Sequence, residues 1–339
     1  MHYQEGVQIQ SIGGAMIHVH AMPGELAAAH AGRYRTLNRV HPARLLEALS
    51  GKLDGDENVA NGLCAFEMLA AMSNMSAQSY ASAHSMLPVL RLAARQEGVQ
   101  PHGSPHEQSI LLRSGLASPK SDGHVCPECV QADRAAFGFS WFRREHQLFG
   151  VDWCHMHRDT LLMVTHPDPF SALPHVWLAK GMVTHAKGVV HSLEGVGSFL
   201  QRFTAISTAM LERGRPVSTT ALHGEVRKRS AERGLRRMQS GRRPPLSSLL
   251  QQLAPSEWIQ RHLPNIREVG RYGHLPGLDD FVSKLEPTAG HIYLLAIACL
   301  FDSADEVLEC FPVQGVGHAR WSFVHHHDLM QSNEMRIPA

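Results

Sequence analysis

The sequence predicts a mainly α protein, with short helices in helix-turn-helix-like units flanking a small Cys3His zinc-ribbon or treble-clef-like β-hairpin module. Three observations lead there. Apolar residues recur at helical spacing in both halves of the chain. Pro and Gly interrupt them often, which keeps each helix short. A CxxC pair is followed, after 24 intervening residues, by CxxH, the spacing of paired metal ligands.

The chain divides into residues 1–98, an N-terminal helical region of helix-turn-helix character; 99–123, a linker; 124–165, the zinc-binding module; and 166–339, a C-terminal helical region with a basic cluster. In the first, Met22-Pro23-Gly24-Glu25 opens a helix that ends near Leu37, with Pro at its start. A second helix spans Pro42 to Leu49 and stops at Ser50-Gly51, and Lys52 to Asn61 is a loop. Leu63, Phe66, Leu69 and Ala70 mark a helical face, Ser73-Asn74 a turn, and another helix starts near Ser76. Helix, short turn, helix is the signature of a DNA-reading unit and also of an ordinary helical hairpin. Val99 to Gly123, rich in Pro, Gly, Ser and His, is the linker.

In the module, Cys126-Pro127-Glu128-Cys129 and Cys154-His155-Met156-His157 supply two knuckles, each with two residues between ligands. The metal ligands are then Cys126, Cys129, Cys154 and His157, with His155 as a rival for the fourth place and His124 and His146 as surface or supporting groups. Phe137, Phe139 and Trp141 alternate with period two and predict a strand, with Leu148 to Trp153 as its returning partner and a helix beginning at Thr160 to Met163. Three soft thiolates and one imidazole suit a single tetrahedral Zn2+. Four protein donors leave no open coordination position, so the ion is structural and stands in for a core that so short a segment lacks.

In the C-terminal region, Leu193, Val196, Phe199, Leu200, Phe203, Ile206, Met210 and Leu211 form the buried face of one helix. Thr219 or Thr220 caps the next, which carries basic residues towards Leu235. Leu246, Leu249, Leu250 and Leu253 define an amphipathic helix, and Pro255-Ser256 restarts another. Ile292 to Phe301 is a buried helix, and Ser303 with Glu306 forms a capping box for the last one. His325-His326-His327 fall in a terminal stretch that reads as frayed.

With 339 residues, 43% of them apolar and 19% charged, the chain is long enough for two or three packed units and lacks the composition of a disordered protein. Its longest apolar run, ten residues from Ile292 to Phe301, is half of the roughly 20 that a bilayer span takes, so no membrane segment is expected. The first 22 residues have no basic stretch followed by a sustained apolar one, so no secretory signal is expected and the compartment reads as a reducing bacterial cytoplasm. There Cys64, Cys299 and Cys310, set in apolar stretches, are small core residues. Motifs for zinc proteases, zinc deaminases, phosphate loops and nucleophile elbows do not occur, and the chain reads as a non-enzyme.

Charge is nearly balanced, yet the window from Arg213 to Arg243 holds ten basic residues against Glu225 and Glu232. That window carries +8 and the rest of the chain −7, a polarity hidden in the total of +1. Arg227, Lys228, Arg229, Arg233, Arg236, Arg237, Arg242 and Arg243 fall within 17 residues and are the candidate nucleic-acid contacts. A solvated basic helix face has the same composition.

Cys126-Pro127-x-Cys129, Trp141-Phe142-Arg143-Arg144 and Cys154-x-x-His157 before Leu161-Leu162 resemble the zinc module of the TniQ/TnsD family of transposition proteins. Met22-Pro23-Gly24-Glu25 and His84-Ser85-Met86-Leu87-Pro88 resemble that family's N-terminal part, and Arg227 to Leu235 and His291 to Phe301, running into Asp302-Ser303, its C-terminal helical region. The resemblance implies a non-catalytic target-site selection adaptor of a bacterial transposon. Such an adaptor links target DNA, or a guide-RNA CRISPR Cascade complex, to an AAA+ transposition regulator and through it to the transposase; homodimers occur in the guide-RNA branch. Many relatives carry a second Cys-rich knuckle, whereas Thr165-His166-Pro167-Asp168 offers no cysteine here. The competing reading is a free-standing zinc and helix-turn-helix DNA-binding transcription regulator.

Overall fold

The computed structural model describes residues 17–50, 63–95, 100–186, 198–235, 244–269, 272–275, 277–281 and 288–312. Short helices dominate them. Ala27–Asn38, Leu45–Ser50, Ala65–Met72 and Ala77–His84 build the N-terminal part. The turn between the last two is Ser73-Asn74, where Asn74 takes a left-handed φ of 56° and the Ser76 hydroxyl accepts from the Ser79 amide at 3.0 Å. The predicted helix-turn-helix is therefore present. The first helix begins later than Pro23 suggests. Pro23-Gly24 is a tight turn, with Gly24 at φ 65°, and Glu25 is drawn into a backbone bridge with Arg143 before the helix starts at Ala27.

The module departs from its predicted hairpin. Cys126-Pro127-Glu128-Cys129 opens a helix, Pro127–Phe137, because Pro sits in its first turn with an acidic residue beside it. Gly138, at φ 79°, ends that helix. No strand forms over 137–141 or 148–153. The strands are instead His124–Val125, Leu162–Val164 and Val183–His185, paired antiparallel in that order, with Val125 opposite Leu162 and Met163 opposite Thr184. The helix expected at Thr160 to Met163 is thus the central strand, held by partners on both sides. A Trp153–Thr160 bridge closes the smaller loop that carries Cys154 and His157.

Beyond it, Ser198–Glu212 buries Phe199, Leu200, Phe203, Ile206, Met210 and Leu211, as predicted; Leu193 and Val196 lie outside the described residues. Thr219–Glu232, Leu246–Leu253 and Ser256–His262 follow. Ser218, not a threonine, stands at the N-cap of the first of these, and its side chain makes no capping bond. Gly290–Leu300 is the axis of the region, with every residue except His291 buried. In the last helix, Ala304–Cys310, the Ser303 hydroxyl caps the Glu306 amide, while Glu306 reaches back to the Asp302 amide.

Two apolar clusters form. The smaller gathers Val19, Tyr34, Leu49, Phe66, Leu69 and Leu111 around the N-terminal helices. The larger runs from Leu26 through the module to Phe311. At its centre Trp258 packs edge-on against Phe203 and donates its indole N–H to the Gly150 carbonyl at 2.8 Å. Gly150 has φ 69°, and a side chain there would meet Trp258 at 2.7 Å. Among the described residues, no helix is long and apolar enough to cross a membrane.

Candidate metal centre and basic region

Each ligand is placed by a local backbone device. Cys126 follows the His124–Val125 strand and stands at the N-cap of the Pro127–Phe137 helix, and Cys129 lies one turn in. Both sulfurs sit at the positive end of the helix, which favours thiolates. Cys154 and His157 lie on a tight loop in which the Arg158 amide donates to the Cys154 carbonyl at 2.8 Å and Arg158 takes φ 56°.

The four donor atoms lie within 4.8 Å of one another. His157 Nδ1 is 3.4 Å from Cys126 Sγ, 3.2 Å from Cys129 Sγ and 3.6 Å from Cys154 Sγ, and the last two sulfurs are 3.6 Å apart. A tetrahedral ion with metal–sulfur bonds of about 2.3 Å needs donor separations of roughly 3.5–3.8 Å. The cluster matches that cage and is too open for a disulfide, whose sulfurs are about 2.05 Å apart. The sulfurs also compete for one charge. Hydrogen bonds from the Cys129 and Cys154 thiols pull Cys126 far below the ordinary thiol value, and the nearby Cys126 sulfur pushes Cys129 far up and Cys154 to about 12. Three thiolates share this buried space only with a cation among them.

The surroundings fit that role. His157 Nε2 lies 4.0 Å from the Glu128 carboxylate, which can fix the ring's orientation. His146 is buried rather than on the surface, with Nε2 3.9 Å from Cys129 Sγ, and burial lowers its pKa to about 4. His124 is buried too and contacts the Asp122 carbonyl. His155 is exposed and stands outside the donor cluster.

Three segments far apart in sequence meet beside this centre. The Leu26 amide donates to the Phe142 carbonyl and the Arg144 amide to the Gly24 carbonyl, both at 2.9 Å, while the Trp141 indole donates to the Pro23 carbonyl at 3.0 Å. Arg144 reaches the Ser82 and Ser85 carbonyls, and the His84 ring contacts the Glu25 carbonyl at 3.0 Å. Two buried ion pairs lock the junction, Glu25–Arg33 and Asp133–Arg143, each at 2.6 Å. Met22-Pro23-Gly24-Glu25, His84-Ser85-Met86-Leu87-Pro88 and Trp141-Phe142-Arg143-Arg144 are thus one structural unit, which no local sequence window reveals.

The TniQ family model matches residues 16–161. That segment, less than half of the chain, is similar to the TniQ family. The TniQ match holds all three motifs and the four donors, and it associates the protein with transposition. Comparison with curated proteins gives no match.

The basic cluster lies beyond the TniQ match, and its members divide. Arg229 and Arg233 are engaged within the molecule. Arg233 donates to the Cys299 and Leu300 carbonyls at 3.0 and 3.1 Å, and Arg202 to the Ala298 carbonyl at 2.9 Å. Arg229 points to the Leu300 carbonyl at 3.4 Å and lies 3.8 Å above the Phe301 ring. Arginines thereby satisfy the unpaired carbonyls at the end of the Gly290–Leu300 helix and meet the negative end of its dipole. Sequence reasoning saw the charges but not this use, because the helix end that they grip is about 70 residues away. Lys228 is exposed, 3.8 Å from Glu225, and Arg227 is half-buried and has a partner within the molecule. Arg236, Arg237, Arg242 and Arg243 lie outside the described residues.

Proposed function

We propose that this chain is a non-catalytic target-site selection adaptor of a bacterial transposon, braced by one structural Zn2+ held by Cys126, Cys129, Cys154 and His157. The observation that carries this reading is the junction inside the TniQ match, where three distant motifs and a saturated donor set form one rigid unit. Four donors leave no coordination position for water or substrate, so the ion shapes a binding scaffold and activates nothing. When bound, zinc supplies the cross-link between the two knuckles; the chain's own residues supply the surfaces.

In this reading the adaptor engages an AAA+ transposition regulator on one side and, on the other, target DNA or a guide-RNA Cascade complex, acting in the bacterial cytoplasm as a homodimer. Arg227, Lys228, Arg229, Arg233, Arg236, Arg237, Arg242 and Arg243 are the proposed nucleic-acid contacts. One feature favours the adaptor over a free-standing regulator. The second helix of the helix-turn-helix, Ala77–His84, has no Lys or Arg and exposes Gln78 and Ser79, a poor surface for a phosphate backbone.

The test is affinity capture of the full zinc-loaded chain with the AAA+ regulator and Cascade of the same transposon, paired with a transposition assay in a deletion strain. Capture of either partner together with loss of insertion supports the adaptor. Undiminished insertion with no capture, and tight binding to a short operator instead, would transfer the protein to the regulator class.

A further inference from the structure

The Arg229 and Arg233 side chains do more than grip carbonyls, for each also faces a carboxylate of the segment that leads into and forms the Ala304–Cys310 helix. Arg229 Nη1 lies 2.5 Å from Glu306, with its Nε 2.7 Å from Glu225, and Arg233 Nη2 lies 3.3 Å from Asp302. The segment Asp302 to Glu309 holds Asp302, Asp305, Glu306 and Glu309 in eight residues and no basic residue. An acidic strip is therefore seated on the basic C-terminal end of the Thr219–Glu232 helix, of which Arg233 is the C-cap. Two carboxylates about one helical turn apart on two guanidiniums reproduce the contact that successive phosphates of a nucleic acid would make.

We propose that the Arg229 and Arg233 face of the Thr219–Glu232 helix is a polyanion-binding surface that the chain's own Asp302 and Glu306 keep occupied. The inference rests on the reading above, in which the basic region meets nucleic acid, and adds a competitor for it. The geometry suits an exchange. Asp302 is 83% exposed, so its pair with Arg233 is screened and weakly held. The carbonyl contacts at Cys299 and Leu300 remain when the carboxylates leave, so the guanidiniums stay presented. Against the cost of burial, the Asp302 amide and Arg229 hold the Glu306 carboxyl below its ordinary value, so Glu306 is charged at neutral pH.

The test uses the full zinc-loaded chain and fluorescence anisotropy on a labelled random-sequence duplex over a range of salt. The D302N/E306Q variant neutralises the strip but keeps an acceptor for the Asp302 amide, since Gln serves in that position as Glu does. It is expected to bind about tenfold tighter than the parent at moderate salt, with a log–log salt slope steeper by about 1.8, as for two more neutralised phosphates. The control D305N/E309Q removes the same number of charges at exposed positions without an ion pair among the described residues, and it should change affinity by less than about twofold. Equal binding by the parent and D302N/E306Q, or equal tightening in both double variants, overturns the competition. If no variant binds duplex or single-stranded RNA even at low salt, the nucleic-acid reading of the basic region falls with it. Thermal melting of each variant checks that the fold is retained.

Discussion

The metal-ligand module and the C-terminal helices hold their polar groups by opposite means. Around Cys126 to Val164 the strands are only two or three residues long, regular hydrogen bonds are few, and four convergent side chains do the cross-linking. Around Gly290–Leu300 an almost wholly buried helix supplies the apolar mass, and the difficulty is its end, where arginines cover carbonyls that water does not reach. On the proposed reading, the first region depends on an ion held by its four donors. The second depends on packing and on charges already in the chain, so the two should fail under different insults.

The sharpest separation is expected from Cys129→Ser or a strong chelator. Structural zinc contributes on the order of 10 kcal/mol in isolated modules. Metal content should fall to near zero by elemental analysis, and amide exchange should become fast over residues 124–164, while 290–300 keeps most of its protection. Equal loss in both regions would mean that they are one cooperative unit. Leu295→Ala attacks the other side. Leu295 is fully buried in the central helix, and the cavity should cost about 3 kcal/mol in denaturant unfolding without releasing metal.

Acid offers a third handle. Burial lowers His30 to about 3, His84 to about 4 and His102 to about 3, all within the segment that the TniQ model matches. On unfolding each returns to about 6.5 and gains a proton, so stability is complete above about pH 6.5 and falls as pH drops through the window down to about 3–4. Each such histidine costs about 2 kcal/mol at pH 5. His102→Leu, at a fully buried site whose ring nitrogens have no partner among the described residues, should remove that share of the difference between pH 7 and pH 5. An unchanged difference would place the titration elsewhere. The smallest effect belongs to Arg233→Ala, which leaves two carbonyls short of a donor and should lower the free energy of unfolding, read from denaturant titration, by about 1–2 kcal/mol with zinc content intact.

The parts legible in sequence were those specified by neighbours in the chain. Two-residue spacings announce Cys126, Cys129, Cys154 and His157, Ser73-Asn74 announces the turn between two helices, and ten apolar residues in a row announce the buried helix. The strand expected over Phe137 to Trp141 failed for an equally local reason. Pro127 and Glu128 start a helix that runs through Phe137, and the alternating aromatics pack edge-on and tilted at its end, with Phe137 and Phe139 both within about 6 Å of Trp141. What stayed hidden is long-range: the pairing of Glu25 with Arg143, and the use of Arg229 and Arg233 on a helix end far along the chain. In one dimension a clasp and a phosphate-binding patch have the same letters.

The seat of Trp258 against Gly150 bears on how this protein can be handled. Cutting after Leu161, where the family match stops, would strip the indole from its glycine and bare the flank of Phe149 and Val151 to water. An excised N-terminal fragment should therefore come out of cells as aggregate unless the Ser256–His262 helix is supplied alongside it, and binding assays on such a fragment would report stickiness in place of recognition.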